Sequence, residues 1–124
     1  MPTSINWHPD LKNVLVMELS GTVTMDDVLD ITMQEGELIK SASVIVQTII
    51  DVRTVHGIPK NFLSAIPRIT SMPAANHPHS GDKIVVGASG LAESFLNIFS
   101  KVGRKLFLFK TMEEAVEFLK SQGH

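Results

Sequence analysis

The 124-residue chain contains no cysteine, which removes disulfides, thiolate metal sites and cysteine nucleophiles together. No apolar run reaches the roughly 18 residues that a membrane-spanning helix needs, so no membrane span is expected. The first ten residues, MPTSINWHPD, hold neither a basic nor an apolar segment. No signal peptide is expected there, and the expectation is a cytoplasmic protein. An excess of positive charge is missing too. Eleven Lys and Arg stand against thirteen Asp and Glu, for a net charge of −2. The basic residues are scattered, so the footprint of a nucleic-acid binder is lacking and no nucleic acid is expected as a partner. No repeat, linker or second domain stands out, which leaves one domain over residues 1–124. A hydrophobic content of 44% is too high for long disordered tracts and suits one buried core.

What the sequence does contain is a β-branched run, VIVQTII from Val44 to Ile50. With no clean polar alternation, it reads as a strand buried on both faces and flanked by helices. This predicts the central strand of an α/β sheet. At its exit follow Asp51, Arg53, Thr54 and His56, then Gly57 and Pro59. Upstream, Ser4–His8 and Val14–Leu19 predict two strands whose short connection makes an antiparallel hairpin, with Trp7 and His8 on or near an edge. Thr24 predicts the N-cap of a helix starting at Met25, with Asp26 and Asp27 in its first turn. Val28, Ile31, Leu38 and Ile39 share one face of it. Gly36 weakens its middle by up to about 1 kcal/mol, and it ends near Ser41–Ser43.

Downstream, Pro59 suits the first turn of a helix reaching about Met72, and Pro67 predicts a kink or break near Leu63–Ile66. Ser71–Asp82 (SMPAANHPHSGD) is expected as a loop and Lys83–Ala88 as a second buried strand. Leu91–Val102 is expected as a helix stopped at Gly103, and Lys105–Phe109 as a third buried strand. Thr111–Glu114 is a capping box that opens the last helix. Met17, Met25, Met33, Met72 and Met112 read as adaptable core filler. The order β-β-α-β-α-β-α-β-α predicts an α/β fold with a mixed, mostly parallel sheet opened by an antiparallel hairpin, joined by right-handed crossovers.

The segments VLVMELSGTVTMDDV (14–28), TIIDVR (48–53), KIVVGAS (83–89) and KLFLFKTMEEAVEFL (105–119), in that order, resemble the anti-sigma-factor antagonist (STAS, SpoIIAA-like) superfamily over most of the chain. The resemblance implies that superfamily's α/β fold and a role as a regulatory or protein-interaction module. Its best-known members carry a phosphorylatable serine, in an Asp-Ser-Ser-Gly-type turn, at the start of the helix after the central strand. The corresponding stretch here, Asp51 to Pro59, has no serine, and Thr54 is its only hydroxyl. A serine phosphoswitch is therefore not expected, and the chain resembles divergent, stand-alone bacterial members.

Three constellations carry chemistry. Asp51, Arg53 and His56 at a strand exit suit an anionic ligand or acid–base work, and equally a structural ion pair. Gly87–Gly90, between a strand and a helix start, places Ser89 and Gly90 where amides favour an anion. It lacks the G-x-G-x-x-G and Walker signatures, and a tight turn explains the glycines as well. Asp51, Arg53, Thr54, His56, Ser89 and Gly90 are thus the candidate ligand- or partner-binding residues. His77 and His79 are weak metal candidates, two imidazoles with no evident third ligand, so no metal or cofactor is expected. No G-x-S-x-G elbow is present, and no catalytic residue is assigned. Trp7 is the aromatic suited to a subunit contact in a homodimer. The expected function is a non-enzymatic regulatory or protein-interaction module. The alternative is a carrier or sensor of an apolar or anionic metabolite, and an acid–base enzyme using Asp51 and His56 is held in reserve.

Overall fold

A computed structural model of the chain describes residues 3–56, 62–87 and 106–123. The helix expected over Leu91–Val102 and the residues Pro59, Ser89, Gly90 and Gly103 lie outside the described residues. Along the chain come β1 (Thr3–Trp7), β2 (Val14–Gly21), α1 (Met25–Ser41), β3 (Val46–Val55), α2 (Phe62–Thr70), α3 (Pro73–Asn76), β4 (Ser80–Val86), β5 (Leu106–Phe109) and a final helix, here α4 (Met112–Ser121).

The five strands form one sheet in the order β1-β2-β3-β4-β5. β1 and β2 pair antiparallel, from Thr3 opposite Leu19 to Trp7 opposite Leu15. All later pairs are parallel, as the expected crossovers require. His8 closes the hairpin: its Nδ1 accepts from the amides of Asp10 at 3.0 Å and Leu11 at 3.1 Å.

The crossovers from β2 to β3 and from β3 to β4 each step one strand in the same direction, and right-handed steps of that kind lay their helices on one face. On that face Ile39 of α1 packs with Leu15 of β2 and Val46 of β3. α4 covers the other face, where Ala115 and Leu119 join Val14, Ile49, Ile84 and Val86. Alternation along each strand therefore splits one apolar run between two cores. Both helix starts carry the expected N-cap, with a reciprocal capping box at Thr24 and only the forward bond of the expected box at Thr111. Thr24 Oγ1 accepts from Asp27 N at 3.1 Å while Asp27 Oδ2 accepts from Thr24 N at 3.0 Å, and Thr111 Oγ1 accepts from Glu114 N at 3.2 Å.

Four expectations are corrected. Val44 and Ile45 precede the central strand and are exposed, at 44% and 53%, because β4 begins opposite Val46 and offers them no neighbour. At its other end β3 runs on through Asp51, Arg53 and Thr54 to Val55. It does so because β2 continues beside it past a bulge, with Ser20 opposite Thr54 and Gly21 opposite Val55. Ser71–Asp82 is not a plain loop: it holds α3 and the first residues of β4. Met33 is 57% exposed and is not core filler. Pro67 lies inside one continuous helix, α2, so the chain does not break there.

Gly36 also has a use that helix propensity does not reveal. A Cβ there would lie 3.2 Å from Ala74 N and 3.3 Å from Pro73 Cβ, so the missing side chain is what lets α3 approach α1.

Candidate functional site

The described candidate residues, Asp51, Arg53, Thr54 and His56, gather at the carboxyl end of β3, between the ends of β2 and β4. A strand places residues two apart on the same face, so Asp51 and Arg53 meet directly. Asp51 Oδ2 accepts from Arg53 Nη2 at 2.8 Å, and Oδ1 accepts from Arg53 Nε at 3.0 Å and from the Arg53 amide at 3.1 Å. This is a bidentate fork with a third bond from the backbone. The Asp51 side chain is 12% exposed and that of Arg53 49%. Burial pushes the Asp51 carboxyl up, but the bonds from the Arg53 guanidinium and amide, together with its charge, outweigh burial and hold it below its ordinary value. The bond and charge of Asp51 push Arg53 up against a small effect of burial, and Glu18 adds to them.

Asp51 is thus a committed carboxylate. Its two oxygens are occupied by one neighbour, which suits positioning an arginine rather than exchanging protons.

The stem of Arg53 lies over Gly87, where β4 ends. Gly87 has φ +83°, and a Cβ there would meet Arg53 Cγ and lie 2.9 Å from Arg53 Cα. Gly87 N donates to Phe109 O at 2.9 Å, which ties the turn to β5. Thr54 is exposed in the strand, opposite Ser20. His56 is exposed just beyond it, its amide donating to Gly21 O at 3.0 Å. Among the described residues no hydrogen bond joins the His56 ring to Asp51.

The histidines of the Ser71–Asp82 segment lie elsewhere, at the start of β4, and act as ties. His79 N donates to His77 Nδ1 at 3.0 Å, and His79 Nδ1 lies 2.9 Å from Ala42 O, just past α1. Among the described residues no group of three potential ligands could hold a metal ion.

Sequence reasoning missed a second polar cluster. Glu35 of α1 is buried against the sheet, where its Oε2 accepts from Lys83 Nζ of β4 at 2.6 Å and from Thr48 Oγ1 of β3 at 2.6 Å. The Lys83 and Glu35 side chains are 8% and 4% exposed. A signal was present: Glu35 stands four residues from both Ile31 and Ile39, within the apolar stripe.

Asp51→Asn tests the fork. Because the folded pKa of Asp51 lies below its ordinary 3.8, its stabilisation is fully present above that value and is lost as pH falls through the folded pKa. The variant should lose about 1–2 kcal/mol at pH 7, and its deficit against wild type should shrink as the pH is taken below the ordinary carboxylate value. Urea melts at both pH values check this; an unchanged deficit in acid would contradict it.

Neither a family model nor a curated protein matches the chain. Solved structures do. The Bacillus cell fate determinant SpoIIAA in its phosphorylated form superposes with a TM-score of 0.63 at 16% identity, over 94% of this chain and 99% of that one. An uncharacterized DUF3478-family protein with a SpoIIAA-like fold, from Shewanella loihica PV-4, superposes with a TM-score of 0.66 at 14% identity, over 94% of this chain and 91% of that one. With the hairpin-opened parallel sheet and its two covering layers already in place, these likenesses identify the architecture: the chain has the SpoIIAA-like, or STAS, fold.

Proposed function

We propose that the chain is a non-enzymatic regulatory or protein-interaction module of the cytoplasm. In this reading it works as a homodimer and without a serine phosphoswitch. Its partner surface is the carboxyl end of β2, β3 and β4, built from Asp51, Arg53, Thr54 and His56, with Ser89 and Gly90 following Gly87 in sequence. One observation carries the proposal: the fork from Asp51 fixes a half-exposed guanidinium at the sheet's end. A pre-oriented arginine offers planar hydrogen-bond donors at little further entropic cost. The same fork occupies the carboxylate that an acid–base mechanism would need.

The test is a quantitative crosslinking capture with the wild-type chain, Arg53→Ala and Met33→Ala as baits in parallel. At least one captured protein should fall about tenfold or more with Arg53→Ala and be unaffected by Met33→Ala, at an exposed position of α1 outside this surface; binding of that protein, once purified, should show the same order. Captures indifferent to Arg53 would overturn the assignment of this surface.

A further inference from the structure

The two edges of the sheet are guarded differently. Among the described residues, β5 forms one edge, four residues bracketed in sequence by Lys105 and Lys110. Charges of this kind discourage strand addition. β1 forms the other edge and has the sequence TSINW, with no charge and no proline inside it. Trp7 at its end is 43% exposed.

The direction of its backbone groups follows from one bond. His8 N donates to Val14 O at 2.8 Å, so His8 faces β2. In an antiparallel ladder, hydrogen-bonded and non-bonded positions alternate. Asn6 and Ser4 therefore also bond inward, and the N–H and C=O groups of Thr3, Ile5 and Trp7 point away from β2.

We propose that two copies of the chain join through β1, antiparallel about a two-fold axis at Ile5, making one continuous sheet. The register is fixed by the outward groups. Thr3 faces Trp7 of the second copy, Ile5 faces Ile5 and Trp7 faces Thr3, which gives about six hydrogen bonds, two from each facing pair. An axis perpendicular to the sheet keeps like faces together. Thr3, Ile5 and Trp7 then line one face across the junction, and Ser4 lies opposite Asn6 on the other. The strand is thus complementary to itself: Ile5 meets Ile5, the indole of Trp7 meets the methyl-bearing Thr3, and polar Ser4 meets polar Asn6. Pairing also covers the exposed indole, a side chain favoured at interface centres. Assembly stops at two, because the edges left outside are the lysine-flanked β5 strands. A five-residue ladder is a small interface, so dissociation at roughly micromolar concentration is expected.

The inference rests on the homodimer in the proposed function and is separable from it. Ser4 and Asn6 are exposed, so both accept substitution without disturbing the core. Ser4→Lys/Asn6→Lys sets lysines opposite each other twice across the junction, whereas Ser4→Lys/Asn6→Glu sets opposite charges there. Sedimentation velocity from about 1 to 200 µM should give a dimer for wild type and at least about tenfold weaker association for the lysine pair. Association should be restored or strengthened in the lysine–glutamate pair, whose recovery also shows that substitution at these positions leaves the fold intact. A monomeric wild type over that range would overturn both the homodimer and this interface. A dimer that ignores both variants would overturn the β1 assignment alone.

Discussion

Glu35→Ala should lower the free energy of unfolding by about 3–5 kcal/mol, the cost of leaving a buried charge without its partner. Lys83 is 6% exposed as a residue and Thr48 is fully buried, so water cannot replace the carboxylate that both donate to. The size of the loss comes less from the worth of the ion pair than from the desolvated ammonium left behind. Replacing the whole cluster should therefore be far gentler than breaking it. Glu35→Leu/Thr48→Val/Lys83→Met removes both charges and the hydroxyl while keeping similar volumes, and should lie within about 1–2 kcal/mol of wild type. Urea denaturation with an unchanged m-value is the measurement. If Glu35→Ala cost no more than the triple variant, the cluster would not be the buried, mutually dependent unit described above.

Gly87→Ala should cost about 2–4 kcal/mol, for two reasons that add. The backbone there has φ +83°, where a Cβ is disfavoured in its own right. The added methyl would also press on Arg53, and the atom at 2.9 Å is Arg53 Cα, part of a strand that cannot swing aside. Gly81 supplies the contrast. A Cβ there meets Gln47 Oε1 at 2.7 Å and Ile45 Cγ2 at 2.8 Å, the ends of side chains that can move. Gly81→Ala should cost about 1 kcal/mol, chiefly the bond that Gln47 Oε1 accepts from the Asp82 amide. Thermal melts of the two variants side by side test this, and equal losses would show that backbone strain at Gly87 is not the decisive factor. Gly87→Ala should cost less in an Arg53→Ala background than in wild type, since that background removes Cγ and leaves Cα.

Local patterns made most of the architecture legible. The hairpin, the Thr24 and Thr111 N-caps and the alternation of strand and helix as far as β4 each depend on neighbours in sequence, and among the described residues each is found where expected. The candidate site was legible in composition and misplaced in structure. Asp51 and Arg53 ended the apolar run, so the strand was taken to stop there. It continues because the two charges satisfy each other, and the ladder with β2 resumes at Thr54 after a bulge that takes up Val52 and Arg53. Glu35 was missed for a related reason. A single acid in a helical stripe is ordinarily read as outward-facing, and its partners lie 13 and 48 residues away, beyond any local pattern. Gly36 was read as a loss of helix propensity, whereas its significance lies in α3, which no periodicity connects to it.

That separation of 48 residues between Glu35 and Lys83 has a consequence for the chain as it is made. When α1 first meets β2 and β3 during synthesis, Glu35 finds the hydroxyl of Thr48 but no cation, so tight docking would strand a carboxylate away from water. Tight closure of α1 on the sheet therefore depends on a residue from each half of the chain, and a chain ending before β4 should dock α1 less firmly than the full chain does.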